Sequence, residues 1–402
     1  MKNGFIYDDV FVDWLISLRR YFHQFPEISF NEFNTQKKII EVLTSLGVEN
    51  YEIAGTGVVG IIRGAENGKT IAIRADMDAL KIQEEKTDLN QSYISLNEGV
   101  MHACGHDGHM AMVLGAAKKL QECKENLKGN VKLIFQPAEE VPPGGAVEVI
   151  KMNGLTDVDA IIGTHLFTNV KPGEIYLKEG ALMASHCMYS ITINGKSGHH
   201  FNPDKSIDPI LIASEFITTI QSKLKNNLPP DVNYVFGVGT INGGEQFNQT
   251  PGSVNISGSY RMLDKRNLPG IEKTIRRSLD GLMQSHSKGD TDLPNYQLDV
   301  TYGYPVLVNH KKFTQRSAAI LKRIFTAVNE NIEPIFASED FARYLEIKPG
   351  TFIFIGSGNS GKGIIHDNHS NRFDIDENVL IKGVEMFYSI AVDFLKAPEK
   401  YL

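Results

Sequence analysis

Residues 101–109 read Met-His-Ala-Cys-Gly-His-Asp-Gly-His, which puts one thiol, three imidazoles and one carboxylate within nine positions. Further along, an apolar run ends in Phe135-Gln136-Pro137-Ala138-Glu139-Glu140. Packing gives no reason to gather such groups, whereas divalent-metal chemistry does. Thiolate, imidazole and carboxylate are the side chains that hold such ions, and a held ion acidifies water and polarises a carbonyl. On residue types alone the expectation is a metal-dependent hydrolase.

The flanking elements must deliver these groups to one place. Phe11, Leu15, Leu18 and Phe22 keep helical spacing until Phe25-Pro26, and a second periodic stretch runs over about 31–46 and stops at Gly47. Strand-like runs follow at 58–63 and 70–75, the second delivering Asp76-Met77-Asp78 at its end. Met110, Val113, Leu114 and Ala117 define the next helix, so Cys104 and His106 belong to the loop entering it. The strand predicted at 131–136 meets Pro137, which cannot continue a ladder, and this sets Glu139 and Glu140 just past a strand end. A short helix near 146–152 and a strand at 160–163 lead to His165. Strands alternating with helices imply an α/β fold with a mostly parallel sheet flanked by helices. In such sheets, sites form beyond the carboxyl ends of strands, where Asp76, Asp78, Glu139, Glu140 and His165 all fall.

Around residue 185 the pattern changes. A strand at 188–193, a Gly-Lys-Ser-Gly-His turn, a helix at 207–224, strands at 234–241 and 254–262, and a helix at 268–286 give the β-α-β-β-α order of a ferredoxin-like domain. The helix at 311–328, strand at 351–355 and helix at 377–395 return to the first texture. The expectation is therefore a large domain over 1–184 and 299–402, with a small α+β domain, 185–298, inserted in it.

The chain has 402 residues, 42% hydrophobic and 22% charged, enough for two or three folding units. A net charge of -7 offers no basic footprint, which argues against nucleic acid as a partner. Three cysteines, Cys104, Cys123 and Cys187, are too few for a disulfide framework and fit a reducing compartment. Asp8, Asp9 and Asp13 run against a signal-peptide layout, and no apolar run approaches the roughly 18–20 residues of a membrane span. A cytoplasmic protein without membrane attachment is expected.

Several motifs recur in order along the chain: Arg19-Arg20-Tyr21-Phe22-His23 with Pro26-Glu27, Arg74-Ala75-Asp76-Met77-Asp78-Ala79-Leu80, residues 101–109, Phe135 to Glu140, Gly195 to His199, Ser338-Glu339-Asp340-Phe341, and His369 to Phe373. Together they resemble the metal-dependent aminoacylase/carboxypeptidase family. The match is nearest to its amidohydrolase branch of hippurate hydrolases, auxin-conjugate hydrolases and N-acetyldiaminopimelate deacetylases. The resemblance implies that the large domain is catalytic and the inserted one a lid and dimerisation domain, so that a homodimer is expected. It also implies two divalent ions per subunit, held by Cys104, His106, Glu140, His165 and His369. Zinc, manganese, cobalt or nickel would suit such mixed ligands. His366 competes with His369, and the family's aromatic residue four positions after the ligand, here Phe373, selects His369.

By the same resemblance Glu140 binds metal, Glu139 is the general base, and Asp78 orients a ligand or tunes a metal from outside its ligand set. His199 would stabilise the oxyanion, while Asn248 and Arg261 would hold the substrate, Arg261 through a bidentate fork on a carboxylate. Each has a plainer reading in isolation: an inert thiol for Cys104, a core histidine for His165, solvated surface for Glu139, Glu140 and Arg261. Asp76 and Asp107 are weaker candidates for orienting a ligand, with helix capping as Asp107's alternative, and His109 reads as structural. The chain departs from the branch at Lys81, His200-Phe201 and Asn371, none of which removes a ligand or the base. The bulky pair beside His199 could reshape the substrate pocket. The function expected is hydrolysis of N-acyl, above all N-acetyl, amino acids. Its rivals are a dipeptidase or carboxypeptidase, a non-catalytic metal-binding homologue, and a thiol redox protein built on Cys104, the last lacking a Cys-x-x-Cys pair.

Overall fold

The computed structural model describes residues 8–289 and 293–402. The first seven residues, part of the stretch read for a signal peptide, lie outside them. In chain order the elements are α1 (Asp9–Gln24), α2 (Phe33–Ser45), β1 (Glu49–Ile53), β2 (Gly57–Arg63), β3 (Glu66–Asp76), α3 (His106–Glu122), β4 (Lys128–Gln136), α4 (Gly145–Lys151), β5 (Ala160–Phe167), β6 (Ile175–Tyr176) and β7 (Gly180–Met183). Then come β8 (Ser185–Asn194), β9 (Gly198–His199), α5 (Pro209–Asn227), β10 (Tyr234–Asn242), β11 (Gln249–Thr250), β12 (Ser253–Met262), α6 (Leu268–Ser285) and β13 (Asn295–Tyr302). The last are β14 (Leu307–Asn309), α7 (Lys311–Ile324), β15 (Val328–Asn329), α8 (Ala342–Leu345), β16 (Gly350–Gly356) and α9 (Leu380–Lys396). They form two compact units, one of residues 8–182, 307–333 and 339–402, the other of 183–289, 293–306 and 334–338.

The first unit is built on an eight-stranded sheet in the order β1-β2-β4-β3-β5-β16-β6-β15. Its centre, β4-β3-β5-β16, is parallel, and β1, β2 and β6 pair antiparallel, so the sheet is mixed. The central strands are buried along nearly their whole apolar runs, as strands covered on both faces must be. Helix α3 packs on α9, α1 and β3, and is buried on almost every side. Its Met110, Val113, Leu114 and Ala117 have no exposed surface. Each buried Met, Val or Leu side chain of this kind contributes about 2 kcal/mol, which anchors the helix that begins at His106. Asp8 caps α1 by accepting the Phe11 amide at 2.8 Å.

One expected element differs. The helix read over 311–328 ends at Ile324, because Phe325 turns extended, and Val328–Asn329 pairs parallel with β6 instead.

The second unit carries a four-stranded antiparallel sheet in the order β10-β12-β8-β13. β8 alternates buried and half-buried along its whole length, and α5 packs on β8 and β12 while α6 packs on β13. Asp208 caps α5 and Pro209 opens it. The β-α-β-β-α-β order and the antiparallel pairing are ferredoxin-like, and β13 runs through residue 298.

Candidate metal centre and active site

In the first unit, four strand and loop ends deliver the candidate ligands to one spot. Gly105 adopts φ 91°, a conformation natural to glycine, and so turns the chain from Cys104 directly into α3 at His106. β4 ends at Gln136, and Ala138 follows with φ 53°, which for a residue with a Cβ costs about 1–2 kcal/mol. β5 carries His165. His369, also at positive φ, is brought in by two ties: its amide donates to Ala103 O at 2.7 Å, and Asn368 Nδ2 donates to both Cys104 O and Leu166 O at 3.1 Å.

The five ligands expected from the sequence come together. Potential ligand atoms of Cys104, His106 and His165 lie within 4.8 Å of one another, as do those of Cys104, Glu140 and His369, and of His106, Glu139 and Glu140. Cys104 Sγ is 3.4 Å from His165 Nε2 and 3.3 Å from His369 Nε2, and Glu140 Oε1 is 3.3 Å from His369 Nε2. Two ligands of one tetrahedral ion at about 2.0–2.3 Å each sit about 3.3–3.8 Å apart, so these separations fit shared coordination. His106 Nε2 is buried without a hydrogen-bond partner, which suits a lone pair meant for a cation. Cys104 belongs to two of these groups, with His106 and His165 and with Glu140 and His369. His366 belongs to none of the metal-capable groups found among the described residues, and its carbonyl accepts from Thr168 Oγ1 at 2.8 Å.

The ring tautomers follow from the partners. A carbonyl can only accept, so His106 Nδ1–H donates to Asp78 O at 2.8 Å and His165 Nδ1–H to Leu166 O at 2.9 Å. Both Nε2 lone pairs are thereby left for the centre, the usual arrangement for metal-binding imidazole. His109 is spent on structure: its Nε2 accepts the Leu166 amide at 3.0 Å while Nδ1–H donates to Asp76 at 2.6 Å.

Asp78 does more than orient a ring. Its carboxylate accepts the amides of Glu139 and Glu140 at 3.0 and 2.9 Å and the Ser29 hydroxyl at 2.7 Å. Asp107 lies in the first turn of α3, where Oδ1 accepts the Gly108 amide at 2.9 Å, while Oδ2 accepts Arg19 Nε at 2.8 Å and His23 Nδ1 at 2.7 Å in a buried network. His23 reaches Glu84 on its other side at 3.0 Å.

The electrostatics favour positive charge at the cluster. Burial opposes a charged His106, yet Asp76 and Asp78 outweigh it and push the imidazole well above its usual range. Hydrogen bonds to Cys104 and Glu140 raise His369 to about 10. Burial and His109 hold His165 well below its ordinary value, hence neutral. Within the protein alone, burial and Glu140 push the Cys104 thiol up. A thiolate there calls for a cationic neighbour.

Two features escaped the sequence reading. Arg74, fully buried, donates to Asp76 at 2.6 Å, Asp340 at 2.8 Å and Gln136 at 3.0 Å, with Glu339 at 3.0 Å. Glu339 and Asp340 form a further close group with Glu139. Burial, Glu339 and Glu140 together push the Glu139 carboxyl well above the carboxylate range. The second feature is Glu32, buried against the same loop, with burial lifting its carboxyl to about 7. The Arg74 and Glu339-Asp340 motifs were visible without a role; a signal for them lay in charged residues placed inside or beside apolar strand runs.

In the second unit, β9 pairs with β11 so that His199 lies opposite Gln249, and the Asn248 carbonyl accepts the His200 amide at 3.2 Å. His199 and Asn248 thus share one exposed turn pair. His199 Nδ1 accepts the Phe201 amide at 3.3 Å, which leaves Nε2 carrying the proton. Arg261 sits on β12, half-buried, and its Nη1 donates to Phe336 O at 2.9 Å and Ser338 Oγ at 2.8 Å.

Comparison with known proteins agrees with the motif reading. Residues 72–393 match the model of peptidase family M20/M25/M40. The chain is 39% identical over 385 residues to thermostable carboxypeptidase 1 of Saccharolobus solfataricus, covering 95% of each. It is 37% identical over 389 residues to N-acetyl-L-cysteine deacetylase of Bacillus subtilis, covering 96% of this chain and 89% of the other. Among solved structures, Bacillus subtilis YXEP, described as a dinuclear metal binding peptidase, superposes with TM-score 0.84 at 33% identity, covering 97% and 99%. With the coverage and the metal-capable cluster together, the chain belongs to peptidase family M20/M25/M40 and is a metal-dependent amide hydrolase.

Proposed function

We propose that this enzyme hydrolyses the amide bond of N-acyl amino acids, with N-acetyl the preferred acyl group, releasing a carboxylate and the free amino acid. Cys104, His106, Glu140, His165 and His369 would hold two divalent cations, zinc, manganese, cobalt or nickel, which supply Lewis-acid polarisation of the carbonyl and acidify water. Glu139 accepts the proton of the attacking water as its oxygen adds to the carbonyl carbon. It then delivers that proton to nitrogen as the C–N bond breaks. The observation that carries this reading is the place of Glu139: its carboxylate lies in the group formed with His106 and Glu140, while Asp78 fixes its backbone amide. Burial and the neighbouring carboxylates of Glu339 and Glu140 raise its proton affinity, the direction that favours taking up a proton.

His199 is assigned as the oxyanion donor, supported by the Nε2 proton that its Phe201 contact leaves. Asn248 and Arg261 are assigned to substrate, Arg261 with part of its fork already engaged. We infer a homodimer formed through the second unit, supported by the edge strand β10, on which Val235 and Ile241 are exposed. A reducing, cytoplasmic setting is supported by three unpaired cysteines. No described helix is long and apolar enough to cross a membrane.

A second reading, peptide-bond cleavage, is favoured by the 39% identity to a carboxypeptidase. Turnover of N-acetyl amino acids and of dipeptides by metal-reconstituted protein separates the two, and faster dipeptide cleavage would overturn the deacylase assignment. Glu139→Ala should abolish turnover and retain metal; an active variant would refute Glu139 as the base.

A further inference from the structure

We propose that Glu32 is a positioning residue for the loop that bears Glu139, an assignment that rests on Glu139 being the base. Glu32 occupies the N-cap position of α2 but makes no capping bond. That task is done by Glu27, whose carboxylate accepts the amides of Asn34 and Thr35 at 2.9 Å each. The Glu32 side chain is thereby released inward, and it has no exposed surface. One of its oxygens accepts the Thr56 hydroxyl at 2.5 Å and the other accepts the Ala138 amide at 2.8 Å.

Ala138 is the left-handed residue immediately before Glu139. Its carbonyl accepts from Gly145 N at 2.9 Å, so both of its backbone groups are tied. The next two amides, of Glu139 and Glu140, go to Asp78. Three successive amides, 138 to 140, therefore point at two buried carboxylates. The bond from the Ala138 amide to the buried Glu32 oxygen opposes the tendency of an alanine to leave positive φ. Without Glu32, Ala138 relaxes toward ordinary backbone angles and the Glu139 carboxylate is carried away from its place. Displacement of a reacting group by about 1 Å costs on the order of 100-fold in rate.

The test uses the metal-loaded full chain and whichever N-acyl amino acid or dipeptide the wild type turns over fastest. For Glu32→Ala we expect kcat to fall by about 10- to 100-fold, with KM and metal content held, and with faster hydrogen exchange at amides 138–140. Glu32→Gln should recover most of kcat, because its carbonyl oxygen can still accept from Ala138 while its amide group donates to Thr56. A folded Glu32→Ala variant with wild-type kcat and unchanged exchange would overturn the proposal, as would a Gln variant no faster than the Ala one. Should Glu32→Ala not fold, Thr56→Val removes the hydroxyl that holds the other Glu32 oxygen and so tests its placement: lowered kcat with metal retained and faster exchange at amide 138 support the proposal, and wild-type kcat with unchanged exchange refutes it. Glu139→Gln run in parallel separates the two assignments. If that variant stays active, the base assignment fails, whereas the exchange at 138–140 reports on Glu32 independently.

Discussion

Replacing Arg74 with methionine removes the one guanidinium around which Asp76, Glu339 and Asp340 are folded. Arg74 is 1% exposed, so no water takes its place at no cost. Removing one partner of a buried ion pair costs about 3–5 kcal/mol, because the charge left behind is uncompensated. Burial outweighs Arg74 at Glu339 and lifts that carboxyl to about 8, so Glu339 holds a proton at neutral pH and two of the three carboxylates are stranded by the change. The loss should therefore fall near the top of the range, about 5 kcal/mol.

Trp14 is the only tryptophan, and it lies in α1 of the same unit, so its fluorescence follows the unfolding of that unit. With a urea slope of about 3 kcal/mol per molar, the midpoint should drop by about 1.5 M. The deficit also has a pH signature. Carboxyls stranded in the variant have folded pKa values raised above their unfolded ones, so their penalty is relieved as pH falls and grows as it rises. The variant should stand closer to wild type at pH 6 than at pH 8. A midpoint shift below about 0.3 M, or a deficit that ignores pH, would refute the assignment of Arg74 as the charge hub.

His23 is predicted to make stability fall in alkali. Burial and Arg19 oppose its charge, but bonds to Asp107 and Glu84 prevail and raise it from 6.5 to about 9. It then contributes about 3 kcal/mol, complete below pH 6.5 and lost as pH rises through 9. The urea-midpoint gap between wild type and His23→Gln should close between pH 6.5 and 9.5, and a constant gap would contradict this. Gly144→Ala places a Cβ 2.2 Å from Asp340 Oδ2 at φ 87°, so it should cost about 2 kcal/mol or more and slow turnover, read from urea midpoint and kcat. Stripping divalent ions with a chelator should abolish turnover and lower the urea midpoint read from Trp14, both restored by zinc, manganese, cobalt or nickel. Cys104→Ser should lower bound metal in elemental analysis, and wild-type stoichiometry would argue against sulfur as a ligand.

Much of the centre could be read from the sequence because strand ends announce themselves. An apolar run closed by Pro137, or by Asp76-Met77-Asp78, marks where side chains leave a buried sheet. Cys104 precedes, and His106 opens, a helix whose apolar positions mark where it begins. Supporting contacts were harder to read. Glu32 and Ala138, or Arg74 and Asp340, are far apart in the chain and share no periodicity, so only folding reveals that one serves the other. Asp107 looked like a possible cap because its position in the first turn is local information, whereas its partners Arg19 and His23 are distant. The antiparallel edges of the large sheet were likewise hidden, since burial patterns tell a covered strand from an open one but not its direction.

The arrival of His369 so late in the chain sets the order of assembly. A ribosome releases the segment bearing Cys104, His106, Glu140 and His165 well before the one bearing His369, and the whole second unit is synthesised between them. Until the last tenth of the chain is made, the nascent polypeptide lacks one of the proposed ligands. A product truncated before residue 369 would lack one of the proposed ligands however well the rest of the first unit folded.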